Sequence, residues 1–438
     1  MKKQFLVILT LIMIPFFSAC KSDRKNDLKS YNDKKAEYKN PEWANELIKA
    51  YTAFNNSRNL QSANLVFNAS EKMPIKNWEN YLVSAMVFAE EGNLEKSYLA
   101  IDKAIAYGLK DTELLYSIPE FNPLKDSSEW EELIVQTKNK KEAYLSSIQN
   151  PKLFKELEYL WSQDQLALSE YEQNISLLDS DATIAEYNEL FKSVEKRWQI
   201  NKTKLDSIIA IYGWPNNRLV GEEGAKIAWS IAQHHPNIFF KQKCLRLMEE
   251  ELTQGNISPN LYAELNDRIS RDTWQKQTFG ASMDTQEPHP IENVSEVNKR
   301  RFELGLPEPI EVYALYHGIN YEIPTEEEVE GKYLKAQSDY NKFESSFNSK
   351  KIDSSILYLR KAIKAHGDIT NEQLFESAKK LAKTNNTSAT SLSFDILKVL
   401  IWRKWERRFD MVEEQVFSTL KTRSEWTELI ESLEESRT

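Results

Sequence analysis

Apolar residues recur through most of this chain at intervals of three and four, with few breakers between them, and that spacing predicts helices nearly throughout. In the N-terminal part an offset of 34 residues places Leu47 on Tyr81, Phe54 on Phe88, Asn59-Leu60 on Asn93-Leu94, Ala63 on Ser97 and Phe67 on Ile101. Apolar, small and turn residues return in phase, which predicts helical hairpins that bury their apolar faces by stacking on one another. A second echo pairs Leu124-Lys125-Asp126-Ser127-Ser128-Glu129-Trp130-Glu131-Glu132-Leu133-Ile134 with Leu420-Lys421-Thr422-Arg423-Ser424-Glu425-Trp426-Thr427-Glu428-Leu429-Ile430. Each copy predicts a short helix that closes an array by planting its Trp and Leu-Ile pair in the last groove. Glu223 to His235 predicts a buried helix, because Ile227, Ala228, Trp229, Ile231 and Ala232 leave little polar face; Gly213-Trp214-Pro215 turns the chain before it and Pro236 stops it. From about residue 331 an acidic, Lys-rich connection leads into stripes at Ile356, Leu357, Leu359, Ala362 and Ile363 and at Phe375, Ala378, Leu381 and Ala382. Asn385-Asn386-Thr387-Ser388 breaks the pattern, and Leu397 to Phe409 predicts an aromatic-rich helix.

The 34-residue offset, with Tyr81, Ala85, Phe88, Gly92, Leu94, Ser97, Ile101 and Ala104 in the second copy, resembles the tetratricopeptide repeat. The first copy departs from it, lacking the turn glycine. The expected architecture is all-α, with tetratricopeptide-like hairpins over residues 41–150 and a helical hairpin region over 331–438 flanking a central helical domain over 151–322.

The start of the chain has a different pattern. Met1-Lys2-Lys3 is followed by the apolar run Phe5 to Phe17 and by Phe17-Ser18-Ala19-Cys20, which resembles the signal and cleavage site of a bacterial lipoprotein. Thirteen residues interrupted by Pro15 fall short of the roughly 20 that span a bilayer. The expectation is a signal peptide over 1–19, a lipid on Cys20, and a polar tether over 20–40 with a mean reach of roughly 25 Å. Lys21 stands where lipoproteins kept at the inner membrane usually carry Asp, so the resemblance implies the outer membrane, on its periplasmic or cell-surface side.

The formal net charge is −10, and loss of Lys2 and Lys3 with the signal peptide takes it to −12, which argues against nucleic acid as a partner. With Cys20 acylated, Cys244 is the one remaining thiol; its neighbours Phe239, Phe240, Leu245 and Met248 mark it as a small buried hydrophobe. The chain lacks His-Glu-x-x-His, Gly-x-Ser-x-Gly, Cys-x-x-Cys and a Gly-rich phosphate loop, and no cofactor is expected.

In the middle of the chain stand Gln163-Asp164-Gln165, Tyr212-Gly213-Trp214-Pro215, Val220-Gly221, Ala228, Gln233-His234, Gln242, Leu265, Asp267-Arg268, Gln277, Phe279-Gly280, Pro290-Ile291-Glu292, Arg300-Arg301, Gly305-Leu306 and Tyr313. Their order and spacing resemble a bacterial family catalogued as domain of unknown function 6624. The resemblance implies a mostly helical domain, often in secreted or lipid-anchored proteins, and carries no established activity. The chain departs from the family at Phe279-Gly280-Ala281-Ser282, where a polar pair usually follows the glycine, and near Leu168, where an Arg is missing.

The candidate site residues are Gln233, His234, Asp267, Arg268 and Gln277. Gln233 and His234 fall on a helix expected to be buried, where an imidazole and an amide need partners, and Asp267, Arg268 and Gln277 are the obvious ones. One reading is a polar network that fixes the packing of three helices; the other is a pocket in which Arg268 holds an anionic group and His234 works as acid or base. No metal is expected, since His234 and His235 project roughly 100° apart and His289 lies in a distant Pro-rich loop. Lys299-Arg300-Arg301 suits the end of a helix, and Arg403, Lys404, Arg407 and Arg408 suit the solvated face of an amphipathic one. The preferred function is protein interaction or scaffolding at the cell envelope, with a membrane contact through Cys20 and a protein partner held on concave array surfaces. The alternative is a ligand-binding or hydrolytic domain, and whether the chain is an enzyme stays open between them.

Overall fold

The computed structural model describes residues 39–176, 178, 184–283, 289–365 and 369–437. The expected signal peptide, Cys20 and nearly all of the tether lie outside the described residues. The fold is all-α: among the described residues there is no β-strand, and Gln277 and Ile291 form an isolated parallel bridge.

Helices α1 (Glu42–Asn56), α2 (Leu60–Lys72), α3 (Trp78–Glu90) and α4 (Leu94–Ala106) form two successive hairpins at the 34-residue offset. The offset has a local cause as well as an apolar one. Asn59 and Asn93 occupy equivalent positions and cap α2 and α4, accepting from Ser62 N at 3.0 Å and Lys96 N at 3.2 Å. A short α5 (Thr112–Ser117) and a 3-10 turn (Pro119–Leu124) lead into α6 (Ser128–Ser147), whose Trp130 packs on Phe121 with ring centroids 5.9 Å apart. At 20 residues α6 is longer than the short closing helix expected there.

The central segment begins with α7 (Pro151–Ser176) and α8 (Ile184–Tyr212), which pack on each other and on α9 (Asn217–His234). α9 starts six residues before the expected Glu223 and is broken at Gly221, whose φ is +75°. A Cβ there would lie 2.3 Å from the hydroxyl of Tyr144, and that hydroxyl accepts from Glu223 N at 3.0 Å to restart the helix. α10 (Ile238–Thr253) and α11 (Pro259–Asp272) follow, then an irregular stretch, then α12 (Val297–Leu304) and α13 (Ile310–Tyr316). Cys244 is buried in α10, and burial pushes its thiol well up.

The last part comprises α14 (Glu326–Asn348), α15 (Ile352–Lys364), α16 (Asn371–Ala382), α17 (Thr387–Trp402), the single turn α18 (Asp410–Glu413) and α19 (Ser424–Glu435). Two expectations need correction here. The acidic stretch at 331 is not a connection: a capping box between Thr325 and Glu328 starts α14 ahead of it. The aromatic-rich helix does not run to Phe409, because α17 ends at Trp402. Lys404 adopts φ +48°, and Trp405 N donates to Leu400 O at 3.1 Å, so the chain closes in a Schellman turn on a lysine instead of a glycine. The four basic residues therefore share no helical face. Arg403 turns inward, donating from Nε to Thr273 O and from Nη2 to Trp274 O, both at 2.8 Å, and from Nη1 to Asn371 Oδ1 at 2.7 Å.

The two flanking segments differ in how they join the central one. One apolar core runs without interruption from Ile148 through α7–α11 to Leu433 of α19, so the central and C-terminal segments share it. The N-terminal hairpins have their own core, and Val312 of α13 is part of it. Among the described residues no helix is long and apolar enough to cross a membrane.

Candidate functional site

The five candidate residues are all buried, and the structure divides them into three sets. Arg268 Nη1 donates to Gln233 Oε1, as expected of the network between α9 and α11. Asp267 and Gln277 instead spend their hydrogen bonds on the irregular stretch after α11. Asp267 accepts from the backbone N–H groups of Thr278 at 2.7 Å, Phe279 at 3.0 Å and Ala281 at 2.8 Å, and from Asn266 Nδ2 at 3.1 Å. Burial pushes its carboxyl up to about 6 while these donors pull it back. Gln277 donates from Nε2 to Ser282 O at 3.0 Å and to His289 O, and its Oε1 accepts from Ser282 N at 2.8 Å.

The paired arginines complete this clamp. Arg300 donates to the carbonyls of Thr278, Glu292 and Asn293, and Arg301 to those of Phe279 and Glu308. Four side chains, Asp267, Gln277, Arg300 and Arg301, thus bond the backbone of residues 278, 279, 281, 282, 289, 292 and 293. Arg300 and Arg301, expected at the end of their helix, reach instead to loop carbonyls and share the loop with Asp267 and Gln277. A stretch without regular structure exposes many peptide groups, and buried ones must be satisfied by side chains.

His234 stands apart from both of these sets. Its Nδ1–H donates to Asp164 Oδ2 at 2.9 Å, and Asp164 Oδ1 accepts from Asn201 Nδ2 at 3.1 Å. Trp161 of α7 and Trp198 of α8 lie beside the imidazole, each with its ring centroid 5.9 Å from it. Asp164 stood in a stretch already singled out, Gln163-Asp164-Gln165, but not as the partner of His234; Asn201 and both tryptophans were missed. A signal existed: Trp161-Ser162-Gln163-Asp164 and Trp198-Gln199-Ile200-Asn201 repeat one Trp-x-x-Asp/Asn pattern on two helices, with both residues on one helical face. The neighbouring His235 points elsewhere, to Gln199 Oε1 at 3.0 Å, and burial lowers it to about 4. Among the described residues no three His, Cys, Asp or Glu side chains are grouped to hold a metal ion.

A third polar cluster joins the N-terminal hairpins to the central segment. Asn77 Nδ2 donates to Glu308 Oε1 at 2.6 Å and to Glu79 Oε2 at 3.2 Å. Arg301, fully buried, stacks over the Tyr313 ring with its guanidinium carbon 4.7 Å from the centroid, and the Tyr313 hydroxyl donates to Glu264 Oε1 at 3.3 Å. Burial pushes Glu264 and Glu308 up to about 7 each. Arg301, bonded to the carbonyls of both Glu308 and Phe279, therefore serves the junction as well as the clamped loop.

No curated protein and no solved structure matches the chain. Residues 160–323, which carry the clamp, the His234 group and most of the junction, match the model of a family described as a family of unknown function, DUF6624.

Proposed function

We propose that the chain is a lipid-anchored cell-envelope protein of the outer membrane, tethered through Cys20, that works as a protein-interaction or scaffolding module. The observation that carries this reading is the use made of the polar residues in the matched segment. Asp267, Arg268, Gln277, Arg300 and Arg301 each bond to backbone or to a neighbouring amide of the same chain. A buried guanidinium committed in this way is part of a rigid platform, whereas an anion site would need Arg268 to face a ligand. The core that the central and C-terminal segments share supports the same reading, because segments fused in this way transmit position rather than open around a substrate.

One part of the expectation changes. The face of α1 and α3 that a hairpin array would offer a partner helix is taken by α13 of the same chain, whose Tyr316 packs edge-on against Tyr51 with ring centroids 5.2 Å apart. A partner is then met on the outer surfaces.

The test is formaldehyde crosslinking in intact cells that make either the wild-type chain or Cys20→Ala. A discrete higher-mass adduct that forms with the wild type and is lost when the tether is removed is the expected result. Only free protein in both strains would overturn the reading.

A further inference from the structure

Trp161 and Asp164 stand one turn apart on α7, Trp198 and Asn201 one turn apart on α8, and both pairs meet the imidazole of His234 at the end of α9. The two indoles are partly exposed, so the group opens to solvent, whereas Asp164 and Asn201 are each only 1% exposed beneath them. Asn201 Nδ2 donates to a carboxylate oxygen, which settles which way the carboxamide points. Its other end, Oδ1, is buried and meets no donor. Among the described residues it is the only side-chain oxygen in that condition. On the same helical face, the Trp198 Nε1–H is buried and meets no acceptor. Trp130, Trp214 and Trp229 also keep unpaired indole N–H groups inside the cores, so Trp198 alone carries little. An unsatisfied donor and an unsatisfied acceptor one turn apart, beside two partly exposed indoles, carry more: buried polar groups are rarely left unmade unless something from solvent meets them.

We propose that this group is a binding site for the hydroxyls of a saccharide. A hydroxyl accepts one hydrogen bond and donates another, which is what Trp198 Nε1–H and Asn201 Oδ1 together ask for. The apolar C–H face of a sugar ring covers the exposed indole surfaces, which removes them from water. The ligand needs no charge, since Asp164 already accepts from His234 with one oxygen and from Asn201 with the other. His234, held by Asp164, braces both indoles. The competing occupant is a single ordered water, which would meet the same two groups without the aromatic faces.

Titration calorimetry and tryptophan fluorescence of the purified full-length chain with chitotetraose, with maltotetraose and with glycerol separate these cases. Binding of at least one tetrasaccharide and not of glycerol is expected, with an affinity lost by about tenfold or more in Trp198→Phe, which keeps an aromatic ring and removes the N–H. Chitotetraose alone would mark an acetamido sugar as the ligand; both tetrasaccharides, the hydroxyl chemistry that they share. The melting temperature of Trp198→Phe is read alongside, so that lost binding in a folded variant is told from unfolding. No heat and no quenching with either sugar up to about 10 mM, or binding that Trp198→Phe leaves unchanged, overturns the proposal and leaves the two groups to water.

Discussion

Tyr316 and Asn80 meet across the junction of the N-terminal hairpins with the central segment: the Tyr316 hydroxyl donates to Asn80 Oδ1 at 2.8 Å, and Tyr51 donates to the same oxygen at 2.5 Å. A carboxamide oxygen has two lone pairs, and both are engaged here. The contact links residues 236 positions apart and seats α13 on α1 and α3.

The two ends of that contact are unequal. Tyr316→Phe removes one donor and leaves Asn80 with the other, at a cost of about 1 kcal/mol. Asn80→Leu strands two buried hydroxyls, at a cost of about 2–4 kcal/mol. Urea unfolding of the two variants should show this order; equal losses would mean that the oxygen is not shared.

The junction also predicts a pH profile. Burial raises Glu308 and Glu264 from an ordinary 4.5 up to about 7, so each binds its proton more tightly folded than unfolded. Their contribution is complete below pH 4.5 and is lost as the pH rises through 7. His235 and His317 work in the opposite direction: burial lowers both from 6.5 to about 4, so their contribution is complete above 6.5 and is lost as the pH falls through 4. Stability should peak between the two limbs, and Glu308→Gln, which can still accept from Asn77, should flatten only the alkaline one. Denaturant unfolding at intervals from pH 4 to 9 reads this directly.

The elements that depend on local patterning were legible in the sequence. The 34-residue offset survives because Asn59 and Asn93 repeat a cap as well as a stripe. The second echo extends further than its alignment, since Phe417 stands to Trp426 as Phe121 stands to Trp130, with ring centroids 6.2 Å apart. What was hidden was long-range or irregular. Trp405 is as buried as a helix would make it, yet it lies past a Schellman turn, so apolar spacing alone carries the eye beyond Trp402. Asp267 and Gln277 were singled out as site residues because buried polar groups need partners. Their partners are backbone groups of a loop, which no side-chain spacing announces.

The clamped loop gives a paired glycine test. Gly280 sits at φ +65°, and a Cβ there would lie 2.2 Å from Ile310 Cδ1, a side chain that is itself fully buried. Gly255 has nearly the same φ, +69°, with nothing within 4 Å of its would-be Cβ. Gly255→Ala should cost about 1 kcal/mol of backbone strain, and Gly280→Ala about 2–4 kcal/mol because crowding is added. Similar melting temperatures for the two variants would show that Ile310 gives way.

Arg403 ties the C-terminal segment to the end of α11 by bonding two successive carbonyls and Asn371. A lysine keeps the charge but not the planar fork that reaches three acceptors. Arg403→Lys should cost about 2 kcal/mol, with hydrogen exchange rising in residues 270–277 and 368–375 together. Loss confined to one of the two segments would show that the tie is not what couples them.

The pair Asp164 and His234 settles its own tautomer. A carboxylate can only accept, so the proton at their 2.9 Å contact belongs to Nδ1. Nitrogen shifts of the imidazole should therefore show a protonated Nδ1. Asp164→Asn leaves an oxygen that accepts from Nδ1–H, and it turns an amide N–H towards Asn201, which meets it by flipping its carboxamide so that Oδ1, unpaired in the wild type, accepts. That variant should lose no more than about 1 kcal/mol and keep the tautomer. Asp164→Ala strands both the imidazole and the Asn201 amide, and should lose about 2–4 kcal/mol with the ring free to exchange tautomers. If the alanine variant instead matches the wild type in stability and in nitrogen shifts, Asp164 does not hold the ring, and His234 is positioned by Trp161 and Trp198 alone.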